Sequence, residues 1–263
     1  MNEINNPYSP PIAAVEDFND SETGHYLPGG RVVPAGNGSA WISSAWAMFK
    51  QSPGPWIGMF LLFMVTWMAS CMVPLVNIIA IIVFPPIFMG GIMIACDNQR
   101  RTGALNVGDL FAGFQQKGGA LALLGLLNMA LVFVIFLPFV VLGIIGGVAA
   151  GLGGAFTGAY PGLVIVAVGL FVILISAVLC LAYAAMWFAP AIVALRNDIS
   201  PFDAMKSSFK ACMRNWRAGL IYFVLMMLLA ILACIPLCLG FLVLAPLGYA
   251  SIYTSYRDIF IQD

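Results

Sequence analysis

SPFDAMKSSFKACMRNWRAGLIYFVLMMLLAILACIPLCLGFLVLAPLGYASIYTSYRD, residues 200–258, decides the fold class. It opens on a cationic stretch that carries Lys206, Lys210, Arg214 and Arg217. It then runs 39 residues, from Ala218 to Tyr256, without Asp, Glu, Lys or Arg. A helix needs about 20 apolar residues to cross a bilayer. Charge is expelled from hydrocarbon, so a charge-free run measures how many crossings are possible. This run has room for two, and CIPLCLG (Cys234–Gly240) supplies the turn between them. The stretch reads as a short cationic helix followed by a membrane hairpin.

The same ruler works outward. Gln51 to Cys96 is a charge-free run of 46 residues, divided by CMVPLVN (Cys71–Asn77). Gly118 to Leu195 is one of 78. Its centre, GIIGGVAAGLGGAFTGAYPG (Gly143–Gly162), is too glycine-rich for an ordinary helix, and a loop, a re-entrant segment or an extra helix pair all remain open there. The favoured division is two helices, roughly 118–142 and 162–194. The expected fold is all-α: a polytopic bundle of six transmembrane helices with short amphipathic elbow helices. Composition agrees. Of 263 residues, 62% are hydrophobic and 8% charged, where a soluble domain has about a quarter charged. The mean hydropathy is +1.00. The formal net charge is zero, which gives no basis for nucleic-acid binding.

Residues 1–38 read as a disordered, acidic, Pro-rich tail, with Glu3, Glu16, Asp17, Asp20 and Glu22 and no Lys or Arg before Arg31. The tail lacks the basic start and apolar heart of a signal peptide. The single histidine, His25, lies in it, without the clustered partners that a metal site needs. The transmembrane domain follows at 39–263. With six helices, every basic residue lies in the tail, an even-numbered loop or the C-terminus, so the positive-inside rule expects both termini in the cytoplasm.

The domain divides into three units, 39–98, 106–196 and 200–260. FKQSPGPW (Phe49–Trp56) and FKACMRNW (Phe209–Trp216) share a frame at an offset of 160, which also places Pro86 on Pro246. LFAGFQQKGG (Leu110–Gly119) starts a weaker middle copy, in which Pro190 takes the place of those prolines. Each unit is an elbow followed by a hairpin, entering and leaving on one side, so the repeats are parallel.

The elbows carry helix starts. Asn106 and Ser200 each stand three residues before an acid, and Pro201 suits the first helical position. Val107, Leu110, Phe111 and Phe114 make an apolar stripe, as do Phe202, Met205 and Phe209, and Trp41, Ala45, Met48 and Phe49. These helices are expected to lie in the interface, apolar face toward lipid. The candidate headgroup residues are Lys50, Trp56, Arg100, Arg101, Lys117, Lys206, Lys210, Arg214, Trp216 and Arg217. Setting the topology is the simpler account of their charges. Pro86, Pro190 and Pro246 are expected to kink helices two, four and six, as fixed bends or as hinges.

No ionisable residue lies in an expected span, so the relays of pumps and ion carriers are missing. The polar candidates there, Thr66, Ser70, Asn77, Asn128, Ser176 and Ser251, suit helix contacts. There is no nucleophile–base set, metal spacing or phosphate loop, so neither enzyme activity nor a cofactor is expected. The six cysteines form no CxxC pair; Cys71, Cys234 and Cys238 lie near the far turns, where an oxidising space could join them.

RVVPAGNGSAWISSAWAMFKQSPGPWIG (Arg31–Gly58) with VGDLFAGF (Val107–Phe114) resembles a bacterial family of multi-pass inner-membrane proteins with no assigned biochemical role. SPFDAMKSSFKACMRNW is similar to elbows in the membrane domain that accompanies some glycerophosphoryl diester phosphodiesterases. The first resemblance implies a bacterial inner (plasma) membrane. The second is topological and carries over no active site. The functional expectation is a non-enzymatic factor that meets membrane lipids and other membrane proteins in envelope organisation. The alternative is a passive channel or a transporter for an apolar or lipid-like substrate.

Overall fold

The computed structural model describes residues 25–152 and 161–262. It is an all-α bundle. After a two-residue strand β1 (His25–Tyr26) come α1 (Asn37–Gln51), α2 (Pro53–Cys71) and α3 (Pro74–Thr102). A 3-10 turn (Val107–Phe111) leads into α4 (Ala112–Leu152). Then follow α5 (Pro161–Trp187), α6 (Ala189–Leu195), α7 (Pro201–Arg214), α8 (Trp216–Cys234), α9 (Phe241–Phe260) and β2 (Ile261–Gln262).

Among the described residues five helical segments are long and apolar enough to cross a membrane: Pro53–Cys71, Ile79–Thr102, Val107–Val141, Gly169–Leu195 and Trp216–Cys234. The expected count was six. The sixth helix, α9, forms, but its second half is SIYTSYRDIF (251–260), rich in hydroxyls and carrying Arg257 and Asp258. That half is largely buried in protein, so most of its polar groups meet protein and not lipid.

The glycine-rich link corrects the expectation that the third span would stop near residue 142. α4 runs on through Gly143, Gly146, Gly147 and Gly151 to Leu152. A glycine costs a helix about 1 kcal/mol relative to alanine. An unpaired backbone amide in hydrocarbon costs several, so in lipid the helix wins. The rest of the link, 153–160, lies outside the described residues.

Helix starts follow the local signals. Ser200 Oγ accepts from the Asp203 amide at 3.2 Å and donates to Asp203 Oδ2 at 2.6 Å, a closed box behind Pro201. Asn106 caps differently. Its Oδ1 accepts from the Gly108 amide, and Asp109 takes Asn98 Nδ2 at 2.8 Å instead, tying the second elbow to α3. α3 closes on Gly103, whose φ of 77° permits the left-handed cap.

Small residues let α3 and α4 touch backbone to backbone. A Cβ on Gly113 would lie 2.1 Å from the Ile87 carbonyl oxygen, and one on Gly125 would lie 2.3 Å from that of Ile82. Pro86 sits inside α3, where its missing N–H leaves the Ile82 carbonyl without its helical donor. The carbonyl faces Gly125 at a close approach of the two helices. Pro246 likewise lies inside α9.

Pro190 does something other than kink a helix. The chain breaks at Phe188, and Pro190 lies in the first turn of a separate helix, α6. Ser208, fully buried on α7, fills the break: its hydroxyl donates to the Ala184 carbonyl at 2.8 Å and accepts from the Phe188 amide at 2.9 Å. Those two backbone groups would pair in an unbroken helix. Ser208→Ala is expected to strand both, lowering stability by about 1–3 kcal/mol; thermal unfolding in detergent should show the loss, with Ser207→Ala as the milder comparison.

Candidate lipid-facing site

The site is built where α5, α7 and α8 meet, at the end of the bundle that carries the β1–β2 pair. That end is held by polar contacts across long sequence distances. β1 pairs antiparallel with β2, His25 opposite Gln262 and Tyr26 opposite Ile261. The Leu27 amide donates to the Phe260 carbonyl and the Arg31 amide to that of Ile259, both at 2.8 Å. Residues 25–38 are thus an ordered strap and not the end of a disordered tail, because their backbone groups find partners on α9 and on Asn215. The rest of that expected tail, 1–24, lies outside the described residues.

Asp258 is the centre of the strap. Its carboxylate accepts from Arg31 at 3.0 Å, and from Asn37 Nδ2 and Trp41 Nε1 at 2.7 Å each. Asn215, in the single-residue joint between α7 and α8, accepts from the Val33 amide at 2.8 Å and donates to the Arg31 carbonyl at 2.9 Å. A second buried amide, Gln99 on α3, donates to the Met48 carbonyl at 2.8 Å and accepts from Trp56 Nε1 at 3.1 Å.

These contacts revise the elbows. Trp41, Ala45 and Phe49 of α1 are buried against protein, not laid toward lipid. On α7, Met205 points inward beside Ala204, Ser208 and Ala211, while Phe202 and Phe209 stay exposed. The two FK frames also part company. Trp56 is 0% exposed and unavailable to a headgroup, whereas Trp216 is 58% exposed. The helix joint falls at Ser52 in the first frame and at Asn215 in the second, three positions later in register.

The other candidates divide in the same way. Arg100 and Arg101 pair with Asp97, and Arg100 Nε also donates to the Tyr253 hydroxyl at 3.2 Å. Lys117 Nζ donates to the Arg196 carbonyl at 3.2 Å and to Asn197 Oδ1. Arg214 donates to the Gly30 carbonyl at 3.2 Å. Lys50, Lys206 and Lys210 are exposed, as is Arg217, and the ammonium of Lys206 lies 4.5 Å from the centre of the Phe202 ring. The Arg217 guanidinium lies 5.5 Å from the centre of the Trp216 ring.

Beneath Trp216 lies a groove of about 540 Å³. One wall is an aromatic series: Tyr183 against Trp187 at 5.4 Å, Trp187 against Phe223 at 5.2 Å, and Phe223 against Tyr222 at 5.3 Å. The Tyr222 hydroxyl is satisfied by Ser251 Oγ at 2.7 Å. Cys212 lines the groove, and burial pushes its thiol up to about 12, so near neutral pH it is an uncharged lining group. A second groove of about 630 Å³ runs along the other side of α8, between α1 and α9. Sequence reasoning missed the aromatic series; Tyr183 and Trp187, four residues apart on one helix face, were its signal.

The bundle centre differs from these flanks. Trp56, Met59, Phe63 and Tyr249 enclose a void of only about 10 Å³. The hydroxyls of Thr66, Ser70, Ser176 and Ser251 return to carbonyls three or four residues back. Asn77 reaches the Cys71 carbonyl at the α2–α3 turn. Among the described residues no group of His, Cys, Asp and Glu could hold a metal ion, and all six cysteines are free thiols.

No protein-family model, curated protein or solved structure matches the chain. The class is therefore defined by the fold and its flanks: a multi-pass all-α membrane protein. Asp258→Ala is expected to lower stability by about 1–3 kcal/mol, since three donors lose one charged acceptor. Arg31→Gln should cost less, because that ion pair is half exposed. Thermal unfolding in detergent compares the two.

Proposed function

We propose that this chain is a non-enzymatic protein of a bacterial inner membrane that holds anionic lipid on the flank of α8 and serves envelope organisation through lipid and membrane-protein contacts. The observation that carries the reading is the aromatic groove of about 540 Å³ lying directly under an exposed Trp216 capped by Arg217. An acyl chain suits the aromatic wall, and a lipid phosphate suits the exposed cations of the third elbow. The tight packing between α2, α3 and α9, around a void of about 10 Å³, supports a binding role over a channel.

Neutralising Lys206, Lys210, Arg214 and Arg217 to glutamine should reduce anionic lipid retained through detergent purification several-fold, as counted by mass spectrometry of the lipid extract. Retention equal to wild type would sink the proposal.

The same reading has both termini in the cytoplasm, from the placement of the basic residues. A phosphatase or fluorescent reporter fused after residue 263 should score as cytoplasmic, and an external score would reverse the orientation.

A second reading is favoured by the pair of grooves on either side of α8: a carrier for a lipid-like substrate. Lipid transfer between leaflets of reconstituted vesicles distinguishes it, since a static binder gives none.

A further inference from the structure

The ordered strap runs beside α7. Tyr26 stands next to Ser207. Gly29 has no side chain, and the Lys210 stem passes over it; a Cβ there would lie 2.8 Å from Lys210 Cδ. A Cβ on Gly30 would lie 3.3 Å from Ala211 Cβ, and the Gly30 carbonyl accepts from Arg214 at 3.2 Å. The Val33 amide then meets Asn215. Strap and helix therefore advance in the same direction, from Ser207 to Asn215. Traced back from His25, the chain heads toward the first half of α7, where Lys206 stands.

Lys206, Lys210 and Arg214 recur every four residues, which sets them along one face of the helix. All three are exposed, and Arg217 extends the row past the Asn215 joint. Two carboxylates lie near it. Asp203 takes the Ser200 hydroxyl at the helix start, and Asp198, in the loop before, acts on Tyr26. Among the described residues no ion pair joins any of the four cations to a carboxylate.

Residues 1–24 carry the opposite sign. Glu3, Glu16, Asp17, Asp20 and Glu22 stand there without a Lys or Arg, and four of the five fall within 16–22. Glu22 is separated from His25 by at most about 10 Å of extended chain, and Glu16 by about 30 Å. The row from Lys206 to Arg214 is about 12 Å long. The tether thus holds the acids near the row at an effective concentration on the order of millimolar.

We propose that the exposed cationic face of α7 is the docking surface of the chain's own acidic segment, residues 16–22, which lies along Lys206, Lys210 and Arg214 and competes there with anionic lipid. The competition rests on the reading that the third elbow holds anionic lipid; the docking does not. Exposed charge pairs are individually weak and screened by salt. The segment is therefore a reversible cover. A membrane rich in anionic lipid displaces it, and a neutral one leaves it seated.

The test uses the full chain in low-salt detergent. A carbodiimide joins a carboxylate to a lysine amine without a spacer. It should link Asp20 or Glu22 to Lys206 or Lys210, as read by peptide mass spectrometry, and about 0.5 M sodium chloride should suppress the links. Lys50, exposed on α1, is the comparison. Links to Lys50 in equal yield, or none to Lys206 and Lys210, overturn the docking. Mixing isotope-labelled with unlabelled protein separates the copies; links that join labelled to unlabelled chains assign the acids to a second copy and overturn it too. The second measurement is lipid retention. Glu16→Gln, Asp17→Asn, Asp20→Asn and Glu22→Gln together, in a variant whose folding is checked by thermal unfolding, should raise the phosphatidylglycerol retained from a mixture with phosphatidylcholine about threefold to tenfold. Unchanged retention in that variant, beside a loss in the glutamine variant of the third elbow, overturns the competition and leaves the lipid reading standing. Links as expected, with equal retention in wild type and both variants, support the docking and remove the lipid reading instead.

Discussion

Asp258 stands in the last turn of α9, and its carboxylate gathers Arg31, Asn37 and Trp41. The rest of the arrangement depends on that gathering. It draws the N-terminal strap over the end of α9, where β1 meets β2. It fixes the start of α1, so that Trp41 and Phe49 pack inward. The strap in turn satisfies Asn215, the joint from which α8 departs. One partly buried carboxylate thus connects the first unit, the last unit and the edge of the candidate groove.

The arms of the bundle obey a second constraint, that lipid offers no hydrogen bonds to a broken helix. One irregularity among the described spans is mended by a side chain from another helix. Ser208 fills the break before Pro190. The carbonyl freed by Pro86 lies at the crossing with Gly125. The same pressure carries α4 through its glycines to Leu152. The repair by Ser208 also places the third elbow: Ser208 sits on α7, so mending α5–α6 seats α7 beside the groove.

That seating explains why the flank of α8 is the place to look for a ligand. α7 turns its small residues inward and leaves Phe202, Phe209 and its lysines outward. α8 then stands at the edge, mostly exposed, with a groove on each side. The aromatic series, the shielded thiol of Cys212 and the cation over Trp216 give one groove a graded polarity, apolar below and charged at its rim.

Hydropathy and charge, read along the chain, determined the membrane class, the hairpins, the caps at Asn106 and Ser200 and the gathering of basic residues at one end. These are local properties, and exclusion of charge from hydrocarbon acts on each segment alone. The tertiary structure decided which apolar faces meet protein and which meet lipid. Trp56 and Trp216 occupy the same place in matching frames, yet one is sealed against Gln99 and the other stands in the open. The partners of Asp258, and the run of the strap along α7, were equally beyond a linear reading, because they join residues far apart in the chain. The physical reason is that lipid tails are as apolar as leucine. In water a hydrophobic stripe points to the core; in a membrane the same stripe suits either neighbour, and packing and long-range hydrogen bonds make the choice.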